Sequence, residues 1–248
     1  MPVRKRIIIT GELPLAEEYG VLLSGAGFAV SIRPNTGEPA VKFPKGITKA
    51  KALPRGAFCG IELTNLNRDA KQKNLKELEK ALSPSALLLT SSVTISLSEQ
   101  TGWVRNPDRL VGIGALPSLL DGDLLELTSC SSTAGGQVRE ATELARKIKK
   151  DTAVVRDRVG MVLPRILCTL ANEACFAMGE GVAQAHDIDT AMKLGTNYPS
   201  GPVEWAERIG AGQVHGVIKA LYLYYGEDRY RPAPLLTEAA RRGSFRPG

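Results

Sequence analysis

"RKRIIITGELPLAEEYGVLLSGAGFAVSI", residues 4–32, reads as a strand, a tight turn, a helix and a second strand. Arg4, Lys5 and Arg6 lead into Ile7-Ile8-Ile9, a near-continuous apolar run of the kind carried by a strand buried on both faces. Pro14 suits the first turn of a helix, where its missing N–H costs nothing. Leu15, Tyr19, Leu22, Leu23 and Ala26 then recur at helical spacing. Gly25 to Gly27 end the helix, and Phe28 to Ile32 form the second strand.

The pattern repeats outward from this unit. Residues 34–56 carry four prolines (Pro34, Pro39, Pro44, Pro54) and read as an irregular loop with a short strand near Val41. Strands follow over Ala57–Glu62, Ala86–Thr90, Arg109–Ile113, Leu124–Thr128 and Ala153–Val155. Asn67 caps a helix over Arg68–Leu82, stopped by Pro84, and Gly136–Lys149 forms another. This alternation predicts an α/β fold, a doubly wound, mostly parallel sheet. After Arg156 the strands cease. A long helical run over Val159–Val182 leads to short helices at about 187–195, 202–210, 213–225 and 233–242. The chain therefore divides into a sheet domain, 1–156, and an all-α domain, 157–248.

Composition narrows the class. Of 248 residues, 43% are hydrophobic and 23% charged, an ordinary globular balance. No apolar run approaches the ~18–20 residues that a membrane helix needs. The opening Met1-Pro2-Val3-Arg4-Lys5-Arg6 shows no signal-peptide pattern, so a cytosolic protein is expected. Cys59, Cys130, Cys168 and Cys175 lack metal-site spacing, and Cys168 and Cys175 share one apparent helix face, as buried thiols do. The net charge of +6 is scattered, and with 5% aromatic residues it argues against nucleic acid and suits anionic metabolites. His186 and His215 are the two histidines, and both read as surface residues. That restricts mechanism, because histidine is the commonest general base near neutral pH.

The helical half carries a specific pattern in "NEACFAMGEGVAQAHDIDTAMKLGTNYPSGPVEWAERIG", residues 172–210. Asn172-Glu173-Ala174, Asp187-Ile188-Asp189, Ala191 to Gly195 and Tyr198-Pro199-Ser200-Gly201-Pro202, with "YRPAPLL" at 230–236, closely resemble the C-terminal domain of the 3-hydroxyacyl-CoA dehydrogenase family. The resemblance is dense after residue 157 and thin before it. Read physically, Asp187 and Asp189 lie near a helix N-terminus, where negative charge gains ~0.3–1 kcal/mol. Pro199, Gly201 and Pro202 force a corner. The resemblance implies a Rossmann-like domain binding NAD and a helical domain forming a homodimer and one wall of the substrate cleft. It implies oxidation of a 3-hydroxyacyl-CoA to the 3-oxo thioester, in which a histidine takes the hydroxyl proton and a glutamate orients it.

Carried over residue by residue, the site is depleted. At the kept spacing Gly114 falls at the family's histidine and Glu126 at its glutamate partner. Val93 stands at the serine and Pro164 at the asparagine that position the substrate. Gly11 keeps the first glycine of the phosphate turn, Leu13 replaces the second, and Ala16 stands at the third. Glu12 adds negative charge beside a site that relies on a helix N-terminus. Pro34 falls at the acid that holds the ribose, with Arg33 beside it as a candidate for a 2′-phosphate. Glu62 and Lys71 match family residues near the nicotinamide. The cofactor set implied by the resemblance is thus Gly11, Glu62 and Lys71, and the catalytic remnant is Glu126.

Two functions follow from this pattern. One is a family member without the family reaction, a dimeric scaffold or a binder of an acyl-CoA or nucleotide. The other is an NAD- or NADP-dependent oxidoreductase with relocated groups, drawn from Glu126, Glu62, Lys71 and Tyr198. A third, an interaction module working through the basic loop, rests on charge alone.

Overall fold

A computed structural model describes residues 4–245; the opening Met1-Pro2-Val3 and the last three residues of the helical domain lie outside them. The chain forms two compact units that divide between Met161 and Val162.

The first unit is built on an eight-stranded sheet in the order β3-β2-β1-β4-β5-β6-β7-β8. Its strands are β1 (Arg6–Gly11), β2 (Ala29–Pro34), β3 (Ile47–Lys49), β4 (Ala57–Leu63), β5 (Leu82–Ser91), β6 (Leu110–Ile113), β7 (Leu124–Ser129) and β8 (Asp151–Arg156). Every neighbouring pair is parallel except β6 with β7. The helices between them are α1 (Leu15–Gly25), α2 (Arg68–Ala81), α3 (Leu97–Thr101) and α4 (Gly135–Lys147). Ile7, Ile8 and Ile9 are fully buried, as their unbroken apolar run requires of a central parallel strand. The Asn67 side chain accepts from the Ala70 amide and caps α2. The strand order reverses between β1 and β4, and the crevice beyond their carboxyl ends is where ligands bind in open α/β sheets.

Four local expectations shift. The short strand in the proline-rich stretch lies at Ile47–Lys49 rather than near Val41, because the chain reaches the edge of β2 only after turning at Pro44. β5 starts at Leu82 and runs through Pro84, whose missing donor falls at an irregularity between the Ala57–Leu82 and Cys59–Leu87 pairs. The short helix α3 carries too little periodicity to stand out in the sequence. The long helical run starts at Leu163, not Val159. Residues 157–161 belong to the sheet unit instead: the Asp157 carboxylate accepts from the Leu97 and Ser98 amides, and the Gly160 amide donates to Val93 O at 2.7 Å. That tether moves the division of the chain from the expected 156/157 to 161/162.

The second unit comprises α5 (Leu163–Gly179), α6 (Ala185–Thr196), α7 (Pro202–Ile209), α8 (Ala211–Tyr225) and α9 (Pro234–Arg242). Cys168 and Cys175 lie on one buried face of α5, and all four cysteines are free thiols. Asp189 is buried in α6, where it serves not its own helix start but the next helix. Its carboxylate accepts from the Val203 and Glu204 amides at 2.9 and 3.2 Å, capping α7. Gly201 is required there, because any Cβ would overlap the Asp189 side chain. Among the described residues no helix is long and apolar enough to cross a membrane.

Candidate functional site

The antiparallel β6–β7 register, with Gly112 opposite Thr128 and Ile113 opposite Leu127, brings position 114 across from position 126. The Gly114 amide donates to Glu126 O at 3.0 Å. A side chain begun at Gly114 would point at Glu126, 3.1 Å from its Cβ and 3.3 Å from Oε2, with Met161 Sδ at 3.6 Å. The two positions the resemblance pairs are thus neighbours, Glu126 is buried, and Met161 closes the space beside the missing side chain. Met161 holds a left-handed φ of 49°, a conformation uncommon for a residue with a side chain.

Within the first unit, the groups near this position are committed to the fold. Val93 is fully buried and offers no polar atom. Ser92 accepts from Gln100 Nε2, and the Thr94 hydroxyl donates to Asn65 O at 2.7 Å. The Ser91 hydroxyl donates to Asn65 Oδ1, whose Nδ2 donates to Ala115 O. In the second unit Pro164 sits in the first turn of α5, and Tyr198 packs against Trp205 at 5.4 Å between ring centroids.

At the switch point Gly11 has φ 150°, and a Cβ there would overlap the Leu63 carbonyl, so the glycine serves the close approach of β1 to β4. Glu12 is not a bystander charge. Its carboxylate accepts from the Asn65 amide at 3.1 Å and the Leu66 amide at 2.7 Å, tying the turn after β1 to the loop after β4 across the crevice. The Ala16 amide donates to Glu12 O, and the Glu17 and Glu18 amides donate to Pro14 O. Pro34 supplies no carboxylate, and Arg33 is paired with Glu77 and donates to Asn74 Oδ1.

Glu62 and Lys71 form an ion pair buried at 0% and 1% exposure. The same carboxylate accepts from the Thr64 amide at 3.0 Å, and Lys71 Nζ donates to Thr64 O at 2.9 Å. Burial pushes the Glu62 carboxyl up, against the pull of Lys71, Thr64 and Asn74. Asn74 also donates to Asn35 Oδ1, so the network stitches the ends of β2 and β4 to α2. The structure brings Glu62 and Lys71 together, but to each other, with neither side chain reaching the crevice surface.

These residues do not fit the pyrophosphate of NAD. A dinucleotide turn offers amide donors at a helix N-terminus to an anion. Here the Ala16, Glu17 and Glu18 amides already have protein acceptors, Pro14 has no amide hydrogen, and the Glu12 carboxylate stands at the turn. Sequence reasoning singled out Glu12, but its amide partners Asn65 and Leu66 are reached only through the fold.

Comparison with known proteins bears on the whole chain. Residues 36–158 match the family model described as the 3-hydroxyacyl-CoA dehydrogenase NAD binding domain, and residues 160–247 match that family's C-terminal domain. A 3-hydroxybutyryl-CoA dehydrogenase of Bradyrhizobium diazoefficiens is 31% identical over 216 residues, covering 86% of this chain and 74% of that one. A probable 3-hydroxybutyryl-CoA dehydrogenase of Bacillus subtilis is 30% identical, covering 74% of this chain and 64% of its own length. The fold is shared with the (S)-3-hydroxybutyryl-CoA dehydrogenase PaaH1 from Ralstonia eutropha, with a TM-score of 0.79 over 97% of this chain and 95% of that one, at 24% identity. It is also shared with FadB2 of M. tuberculosis, at a TM-score of 0.83 and 19% identity over 97% and 95% of the two chains. With the Rossmann-type sheet, the helical unit and both family models matched along it, this chain belongs to the 3-hydroxyacyl-CoA dehydrogenase family.

Proposed function

We propose that this chain retains the family framework without the family's NAD-dependent oxidation of a 3-hydroxyacyl-CoA, and acts as a homodimeric binder of an acyl-CoA or nucleotide-type ligand. The observation that carries the proposal is Gly114 facing Glu126, with Met161 packed at 3.6 Å. The reaction needs a base within hydrogen-bond reach of the substrate hydroxyl, and loss of such a base costs ~10²–10⁴ in rate. Glycine supplies none. The match to the NAD-binding model begins at residue 36, leaving the altered turn over residues 11–16 outside it, which supports the same reading. Exposed Val182, Leu194, Leu223 and Tyr224 on the helical unit support a homodimer through residues 157–248.

The relatives' names favour the second reading, a working oxidoreductase on a 3-hydroxyacyl-CoA-like substrate, and the retained Glu126 is its foothold. One assay separates the two: NADH formation from 3-hydroxybutyryl-CoA and NAD⁺ by the purified protein. No signal above the protein-free control is expected. Turnover abolished by Glu126→Ala would establish the second reading.

A further inference from the structure

We infer that the cavity between the last two turns of α2 and the loop before β6 binds a nucleoside phosphate, with Trp103 stacking on the base and Lys76, Lys80 and Arg105 holding the phosphate. The inference goes beyond the proposed function and does not rest on it. The cavity lies in the first unit at the amino-terminal ends of β5 and β6, whereas the switch-point crevice lies beyond the carboxyl ends of β1 and β4.

The cavity has a volume of about 360 Å³ and is lined by Lys76, Glu79 and Lys80 from α2 and by Trp103, Arg105 and Asn106 from the loop. Small-molecule sites run from ~300 to 1,000 Å³. Its carboxylate is engaged by the fold. Glu79, 10% exposed, accepts from the Arg105 amide at 2.9 Å, the Asn106 amide at 2.8 Å and Asn106 Nδ2 at 3.3 Å, and lies 3.8 Å from the buried Arg109 guanidinium. Those bonds fasten the loop to the helix and do not neutralise the lysines. Among the described residues, the exposed Lys76, Lys80 and Arg105 side chains have no ion-pair partner. Lys76 and Lys80 stand four residues apart on one helix face, where like charges repel. Lys80 gains in return from the carboxyl end of α2, but Lys76 and Arg105 have no such offset. Trp103 is a fixed wall. Its amide donates to Gln100 O at 3.1 Å, and its side chain packs against the core cluster that includes Leu75 and Leu78. The Arg68 guanidinium, paired with Glu99, lies over the ring at 4.9 Å. A preformed aromatic wall beside three uncompensated cations suits a ligand that is planar at one end and multiply charged at the other. Stacking on an aromatic side chain tolerates any base, and lysines bind phosphate as point charges. An aliphatic carboxylate would use the cations without the ring, and a neutral planar ligand the ring without the cations.

The test uses three probes, AMP, adenosine and inorganic phosphate, each titrated calorimetrically at low salt into the full chain. AMP should saturate the wild type with a sub-millimolar Kd, and adenosine and phosphate should each bind at least tenfold more weakly. Lys76→Gln with Lys80→Gln should weaken AMP binding at least tenfold and leave the thermal melt cooperative, because both side chains are exposed. Trp103→Leu should weaken AMP binding at least fivefold and leave phosphate binding as it was. If that variant loses its cooperative melt, the Trp103 indole N–H resonance of the wild type takes its place and should shift as AMP is added. The inference is overturned if AMP fails to saturate the wild type below millimolar concentration, or if phosphate alone binds as tightly as AMP. It is equally overturned if the double lysine variant binds AMP as the wild type does, which would place the nucleotide elsewhere. A wild type that forms NADH yet binds AMP through Lys76 and Lys80 would sink the proposed function and leave this site standing.

Discussion

Gly114 faces Glu126 across an antiparallel pair of strands, joined by a 3.0 Å backbone hydrogen bond, with Glu126 Oε2 3.3 Å from where a side chain would begin. The backbone relation that would pair an imidazole with its carboxylate is present, and the imidazole is absent. The sheet register of this chain sets that geometry.

The Glu62–Lys71 pair makes a stability prediction. Removing one partner of a buried ion pair leaves an uncompensated charge and costs about 3–5 kcal/mol. Lys71→Met should therefore lower urea stability by about that much, and Glu62→Gln with Lys71→Met by less than the sum of the two single changes. With Lys71 gone, burial acts on Glu62 with less opposition, and the folded state holds a proton that the unfolded chain releases near the ordinary carboxylate range. Stability of Lys71→Met should then fall as pH rises above that range. A Lys71→Met protein as stable as wild type at neutral pH would refute the pairing.

In the helical unit, Asp189 and Gly201 act as one device. Asp189→Ala removes the acceptor for the Val203 and Glu204 amides and should cost about 1–2 kcal/mol, the usual worth of a helix cap. Gly201→Ala should cost at least as much by forcing the carboxylate away. The double variant should lose much less than the two losses added, since the cap can be removed only once. Strict additivity in denaturant unfolding would contradict the contact.

How far the sequence could be read depends on the range of each interaction. The strand Ile7–Ile9, the Asn67 cap and the apolar face of α5 bearing Cys168 and Cys175 are periodic or local, and they were legible. The positions 114 and 126 were legible through the family spacing. Glu12 was read as a charge opposing a phosphate, but its partners lie 53 and 54 residues away at Asn65 and Leu66, and no local pattern announces them. Asp189 was assigned to its own helix start because its acceptor role crosses a corner to α7. Met161 sits beside position 114 only because Asp157 and Gly160 hold residues 157–161 against the sheet.

His215 on α8 carries a pH dependence. Burial, then Lys219 and Arg241, push its pKa below the ordinary value. The unfolded chain therefore takes up a proton near pH 6.5 that the folded chain refuses until lower pH. More protons bound in the unfolded state means stability lost as pH falls through and below about 6.5. His215→Gln should flatten that part of a plot of melting temperature against pH. A wild-type curve already flat from pH 7 to pH 5, or one unaltered by the substitution, would be inconsistent with this environment.

The proposed homodimer is checked by mass. Light scattering at micromolar concentration should report twice the chain mass. Leu223→Asp with Leu194→Asp, at 72% and 83% exposure in the isolated chain, should yield a folded monomer if these side chains lie in the interface. A wild type that is monomeric at that concentration would remove the dimer from the proposed function.

The last prediction concerns restoration of the family reaction. Gly114→His returns a base opposite Glu126, whose carboxylate would fix the tautomer and stabilise the imidazolium. The new Cβ sits 3.1 Å from Glu126 Cβ, and the ring must displace Met161, so the variant should lose about 1–3 kcal/mol to overpacking. By itself it should still form no NADH from 3-hydroxybutyryl-CoA, because the turn at residues 11–16 is also unsuited to the cofactor. Measurable activity should require Gly114→His together with Leu13→Gly and Pro34→Asp, and should rise further with Val93→Ser and Pro164→Asn. Two results count against this account. Full activity from Gly114→His alone would mean that the crevice still admits NAD despite Glu12, Leu13 and Pro34. Robust oxidation by the unmodified protein, lost in Glu126→Ala, would mean that Glu126 has become the base itself, with Gly114 making room for the substrate where the family places its histidine.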